Sequence, residues 1–309
     1  MAGIGGTPEP TLNRPVPASA RGRTRARYGR VVSTDMRPAQ VDRRPRRLGP
    51  GWVPREHGAW AMLVVPVVVG AVLAGPTWRH ALLLLAWLVA YCAFSAAGLW
   101  LRSGRRARYV APLRAHAATA GVLGLVLVAG APGLLRWAPV FVVLLAVSLA
   151  RSARRADRSW LNDAVTVVAA CLMTVVSAGL HGGWGDGWLP PGARDRTAWA
   201  AAGLLAGYFL GTVPYVKTLI RDRGDRRVLA VSLGWHGALA AAAVAWLVRA
   251  LATSAGVPVA VGLAAVALGL LARAVAVPRR RPWPSPKAIG IGEIAATVAV
   301  TVVVLVAVG

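Results

Sequence analysis

Long apolar runs alternate with short basic clusters along this chain, and charged residues do not interleave through the runs as a water-facing surface requires. A bilayer core about 30 Å thick is crossed by roughly 20 apolar residues of helix. Nine runs of about that length stand out: Gly58–Gly75, Ala81–Leu101, Ala115–Ala131, Leu134–Ala150, Trp160–Leu180, Ala198–Ile220, Val228–Leu251, Val257–Val277 and Ala288–Val308. The pattern predicts an all-α membrane bundle of nine transmembrane helices. Its tightest connection is Ala131-Pro132-Gly133, a Pro-Gly signal that splits an apolar stretch too long for one crossing.

Composition sharpens this picture. At 309 residues the chain has room for two soluble domains, but 56% hydrophobic against 15% charged residues excludes that organisation. The net charge of +25 raises a nucleic-acid partner, and no compact basic domain exists to carry one. All the basic residues are Arg except Lys217 and Lys287, a bias typical of a GC-rich genome. Their placement is informative: with each base assigned to its nearer run end, 31 of the 36 belong to the stretch before the first run or to the connections after the second, fourth, sixth and eighth. Because Lys and Arg near span ends stay in the cytoplasm, the N-terminus is predicted inside and the C-terminus outside. Residues 1–50 hold 11 Arg with no apolar periodicity and read as a disordered Arg-rich cytoplasmic tail, leaving 51–309 as the transmembrane domain. Cys92 and Cys171 lie inside apolar runs and read as packing residues.

Polar side chains within spans are costly, so each marks a candidate for function. Glu56 and His57 open the first run, His116 the third, Asn162 and Asp163 the fifth; His236 lies about 12 Å into the seventh and Glu293 near the start of the ninth. Tyr215, Lys217 and Arg221 close the sixth. All fall at the predicted cytoplasmic end, which implies a cytoplasm-facing polar layer. For Asn162-Asp163 and Glu293 a helix cap is the competing reading. Asp222 and Asp225 are spaced i,i+3 and share a face if the helix continues, a geometry able to hold Mg²⁺ and a diphosphate; an exposed loop of Arg–Asp pairs is the alternative.

The segment Pro54-Arg-Glu-His-Gly-Ala-Trp60 resembles the opening of the YwiC-like family of bacterial integral membrane proteins. Leu161-Asn-Asp163, Tyr215-Val-Lys-Thr218 with Arg221, and Lys287-Ala-Ile-Gly-Ile-Gly-Glu293 resemble that family's other polar blocks, so the likeness spans residues 52–309 and implies a multi-pass protein of the bacterial cytoplasmic membrane. A more distant resemblance is to the UbiA-type intramembrane prenyltransferases, whose second aspartate motif looks like Ile220–Arg227. That resemblance implies Asp222 and Asp225 as ligands for Mg²⁺ and Lys217 and Arg221 as diphosphate partners; an enzyme reading of the polar layer adds Asp163 to the metal candidates and Asn162, Tyr215 and Glu293 to the residues around an isoprenyl diphosphate or another anionic lipid. Between Ser95 and Leu113 there is no acidic residue, a departure from the first motif of those enzymes.

Three functional classes follow. In a prenyl or lipid-phosphate transferase, Glu56, His57 or His236 serves as base or acceptor-orienting group. A transporter or permease uses the polar layer as a substrate or proton site, although no internal duplication accompanies it. A non-catalytic membrane assembly factor uses the layer to position a head group or partner.

Overall fold

A computed structural model describes residues 49–54, 58–180, 183–184 and 187–309. These belong to one compact unit, Arg47–Gly309. The Arg-rich stretch up to residue 48, together with Glu56 and His57, lies outside the described residues.

Nine α-helices follow in order: α1 Ala59–Ala74, α2 Trp78–Arg102, α3 Val110–Gly130, α4 Ala138–Ala153, α5 Trp160–Ala178, α6 Arg196–Ile220, α7 Arg226–Thr253, α8 Val257–Ala276 and α9 Pro286–Val308. Short 3₁₀ turns at Ala107–Tyr109, Pro132–Trp137 and Val277–Arg279 complete the elements, and the described residues contain no strand. Eight helical segments among the described residues are long and apolar enough to cross a membrane: α2, α5 to α7 and α9, α3 and α4 each taken together with the 3₁₀ turn that leads into it, and α8 together with the turn that follows it. The first run was expected to be a ninth span, but α1 has only 16 residues, about 24 Å of helix, and carries Pro66 inside it. The chain is therefore an all-α, multi-pass membrane protein with eight span-length helices and one shorter apolar helix.

Local sequence sets the helix ends. Ser159 accepts from Asn162 N–H to cap α5, Asp195 from Ala198 N–H to cap α6, Asp225 from Arg227 and Val228 N–H to cap α7, and Ser285 from Ala288 N–H to cap α9. The α7–α8 turn needs left-handed backbone at both Ser254 and Gly256. Two expectations change here. Asn162, Asp163 and Glu293 are not caps, because Ser159 and Ser285 take those positions. Asp222 and Asp225 do not share a helical face, because α6 stops at Ile220 and Asp225 is spent on starting α7.

The helices pack as two four-membered rings. In the first, α1, α2, α4 and α5 each touch their neighbours, with α3 outside against α2; in the second, α6, α7, α8 and α9 do the same. The rings join where α1 and α5 meet α6 and where α1 meets α9. The tightest seam is α1 on α5: a Cβ on Gly70 would stand 2.3 Å from the Thr174 carbonyl oxygen. Across it the Ser177 hydroxyl donates to Val67 O at 2.8 Å. From α2, buried His80 takes a hydrogen bond from Thr77 N–H on Nδ1, so Nε2 carries the proton and donates to Ser177 O at 3.1 Å. Three helices are thus tied through one serine.

At the end where α3 meets α4, the α5–α6 connection folds over the helix ends. Gly133 N–H donates to Gly183 O and Gly183 N–H to Gly130 O, Trp137 Nε1 donates to Pro191 O, and the Arg136 guanidinium donates to Trp184 O. A Cβ on Gly192 would lie 2.3 Å from Val175 O, which closes this end backbone to backbone.

Gly70→Leu is expected to cost about 3 kcal/mol or more, since side-chain volume has nowhere to go in a packed seam. Gly121→Ala on α3, where a Cβ meets nothing within 4 Å, should be neutral or slightly stabilising. Thermal denaturation in one detergent compares the two; equal stability would contradict the α1–α5 seam.

Candidate functional site

The polar residues inside the second ring assemble around an ion pair. Arg273, in the last turn of α8, donates from Nη1 to Glu293 Oε1 at 2.7 Å, and both side chains are more than four-fifths buried. The Arg273 guanidinium also lies over the Tyr215 ring, 4.3 Å from its centroid, and Tyr215 meets His236 edge to face at 6.2 Å. Three helices, α6, α7 and α8, therefore place an aromatic, an imidazole and a guanidinium in one stack, with the carboxylate arriving from α9. The network is only half satisfied: Nε and Nη2 of Arg273 and Oε2 of Glu293 are buried without a hydrogen-bond partner. In a low-dielectric setting such groups are costly unless something meets them.

Immediately beyond this stack, between α6, α7, α8 and α9, lies a cavity of about 190 Å³. Its walls are apolar, with Leu204, Leu263, Val266, Leu270, Val300 and Val304 among them, and the lining residues that carry side-chain polar atoms are Tyr208, His236 and Trp246. Leu270 is one turn from Arg273, and Val300 two turns from Glu293, so the charged pair borders the cavity at one end only. Tyr208 Oη is 2.9 Å from Thr297 Oγ1, and Thr297 in turn donates to Glu293 O, coupling α6 to α9. His236, 1% exposed, directs Nδ1 at Ser232 O at 2.8 Å.

The other predicted residues sort separately. Lys217 Nζ binds Asp163 Oδ2 at 2.6 Å and sits 3.9 Å from the Trp160 ring centroid, joining α5 to α6. Asn162 accepts from Ser148 on α4 and donates to Asp157 O. Asp157 itself pairs with Arg102 at the end of α2. Arg221 and Asp225 are exposed and Asp222 half-buried in the α6–α7 loop. Asp163 is held by Lys217 and Asp225 caps α7, and among the described residues no group of three His, Cys, Asp or Glu is placed to hold a metal ion. The three aspartates proposed for Mg²⁺ do not converge into such a set. His116 Nδ1 is buried without a partner, and its ring meets Trp52 edge to face at 5.7 Å.

Sequence reasoning singled out Glu293, Tyr215 and His236 but not Arg273, the residue that joins them. Arg273 sits only three residues before the end of α8 and was absorbed into the count of basic residues that set orientation. Its spacing, inside the run while its neighbours Arg279, Arg280 and Arg281 lie beyond it, was the available signal.

The chain is similar to known proteins over part of its length. A family model described as YwiC-like protein matches residues 53–178, the stretch from just before α1 to the end of α5. The "Uncharacterized protein YwiC" of Bacillus subtilis (strain 168) is 31% identical over 185 residues, 60% of this chain and 73% of that protein. No solved structure matches. The family model thus covers the first ring, and the cavity with its ion pair lies outside it.

Arg273→Leu is expected to destabilise the fold by about 3 kcal/mol, because it strands Glu293 in a buried position, whereas Arg273→Leu with Glu293→Leu should recover most of that loss. Melting temperatures of both variants in the same detergent check this; a double variant no better than the single one would show that the pair is not coupled.

Proposed function

We propose that this chain, which belongs to the YwiC-like family, binds an amphipathic lipid with its polar head at the Arg273–Glu293 layer and its chain in the α6–α9 cavity. The reaction class we assign is prenyl or lipid-phosphate transfer from an isoprenyl diphosphate or another anionic lipid. One observation supports the reading above the rest: a charged pair with two unmet guanidinium N–H groups borders an otherwise apolar slot. A phosphate oxygen accepts hydrogen bonds of the kind that Nε and Nη2 of Arg273 offer, and an arginine fork suits it better than a point charge. Developing charge on a leaving phosphate is what such a preorganised donor stabilises.

The layer contains the other groups such a reaction uses. Tyr215 holds the guanidinium plane, His236 is an imidazole able to accept a hydrogen bond, and Arg221 supplies further positive charge where α6 ends, beside the Lys217–Asp163 pair. Glu56 and His57 keep their proposed role as acid–base or acceptor-orienting groups. Among the described residues the carboxylates offer no converging set for Mg²⁺. The location we propose is the bacterial cytoplasmic membrane, with the N-terminus and this polar layer on the cytoplasmic side.

Purified protein should be stabilised by farnesyl or geranylgeranyl diphosphate, by about 2.7 kcal/mol at roughly 100 times the dissociation constant. The stabilisation should be the same in Mg²⁺ and EDTA and smaller in Arg273→Lys, which keeps the charge but loses the fork. A Mg²⁺-dependent shift abolished by Asp222→Ala would instead place the site in the α6–α7 loop. No shift with either diphosphate would favour a transporter or an assembly factor.

Orientation has its own test. In intact cells a membrane-impermeant maleimide should label Ser254→Cys, and should label Arg223→Cys only after permeabilisation. The reverse pattern would invert the topology.

A further inference from the structure

The wall of the α6–α9 cavity itself carries no charge. Arg273 and Glu293 border it without lining it, and the three residues that bring side-chain polar atoms to it, Tyr208, His236 and Trp246, are ones that make neutral hydrogen bonds. His236 is the more telling. Its Nδ1 faces the Ser232 carbonyl, which can only accept, so the ring proton is on Nδ1 and the neutral ring presents a lone pair on Nε2. Nε2 has no hydrogen-bond partner among the described residues, although His236 is 1% exposed and belongs to the cavity wall. Tyr208 Oη is already engaged with Thr297. What the cavity lacks is a hydrogen-bond donor for Nε2 attached to something apolar.

Shape narrows the ligand further. A cavity of about 190 Å³ is below the range of about 300–1,000 Å³ that takes drug-sized molecules, and suits one hydrocarbon chain better than a fused ring system or a two-chain lipid. The exposed residues of its wall, Gly203 on α6 and Ala242 and Trp246 on α7, lie on facing helices, two of them too small to fill the seam. A Cβ on Gly203 would meet nothing within 4 Å. The opening is therefore lateral, along span-length helices, where a chain already dissolved in the bilayer enters without crossing water.

We infer that the α6–α9 cavity is a site for a neutral, single-chain lipid alcohol, which enters through the α6–α7 seam and donates its hydroxyl hydrogen bond to His236 Nε2. The inference goes beyond the lipid-transfer reading: the cavity takes one hydrocarbon chain, so the alcohol occupies it in place of the chain of the phosphate-bearing lipid, whose head belongs to the cationic layer beside it. Binding of the alcohol does not depend on that reading.

The test is binding of farnesol to the full chain in lipid nanodiscs, read by thermal shift and equilibrium titration, with farnesyl methyl ether as a probe that has the same chain and no hydroxyl hydrogen. Farnesol should bind, and the ether about two- to tenfold more weakly, as loss of one neutral hydrogen bond predicts. His236→Asn retains an amide donor for Ser232 O and removes Nε2, so it should weaken farnesol by a similar factor and leave the ether unchanged. Gly203→Leu, which has space to fold, should abolish binding of both by filling the seam. Farnesol and ether binding equally, or His236→Asn binding farnesol as the natural protein does, would overturn the hydroxyl contact. Undiminished binding to Gly203→Leu would overturn the entry route, and no farnesol binding at all would overturn the site. Farnesol binding without any response to farnesyl diphosphate would sink the transferase reading and leave this one standing; the opposite result would do the reverse.

Discussion

Helices α1 and α5 approach each other closely enough for the absent side chain of Gly70 to be filled by backbone of α5, and the Ser177 hydroxyl crosses the same seam to a carbonyl of α1. Within a bilayer no water is available to satisfy stray polar groups, and apolar side chains gain little by leaving lipid for protein. Close backbone packing and interhelical hydrogen bonds are then what hold helices together, and this seam has both. It explains how a 16-residue helix interrupted by Pro66 is accommodated: α1 is enclosed by α2, α5, α6 and α9. Because α1 and α5 are also the helices that touch α6, the placement of the second ring depends on the same contact.

The second ring is built differently. Here α6 and α7 are held by Gly211 against Trp235, and by the Trp235 indole donating to Gly207 O, while the centre is left unfilled. Its polar contacts gather at one end, in the Arg273–Glu293 pair and the Tyr208–Thr297 bond. The first ring uses His80, Ser177 and the Ser148–Asn162 contact to join its helices, whereas the second gathers the unmet groups of one ion pair, Arg273 and Glu293, beside a cavity.

Much of the fold was legible in the sequence. Run length in a bilayer is so restrictive that eight predicted spans match helices within a few residues, and the Pro132-Gly133 turn falls where expected. The exception is α1, an apolar helix where one was expected but shorter than a span, because hydropathy reports apolarity and is blind to how much of a run the helix takes up. The site was legible only in outline. Glu293, Tyr215 and His236 were marked because each is individually out of place in a span. Their common partner Arg273 was not, because an arginine near a helix end is ordinary. Asn162 and Asp163 looked equally anomalous, yet they bond Ser148 and Lys217 and serve packing; a polar residue's cost is visible in sequence, but its partner is not. Likewise the i,i+3 spacing of Asp222 and Asp225 carries meaning only on a continuous helix, and the break after Ile220 depends on Asp225 itself acting as a cap.

The ion pairs Lys217–Asp163, Arg273–Glu293 and Arg102–Asp157 share a further property. Each is neutral as a unit, and each sits toward the end of the bundle at which α2, α4, α6 and α8 finish. A charge carried fully across a membrane gains about 2.3 kcal/mol per 100 mV, but a compensated pair near one boundary traverses almost none of that field. Rearrangement of these pairs is therefore electrically quiet: resting voltage neither drives it nor opposes it, in an energised or a depolarised membrane alike.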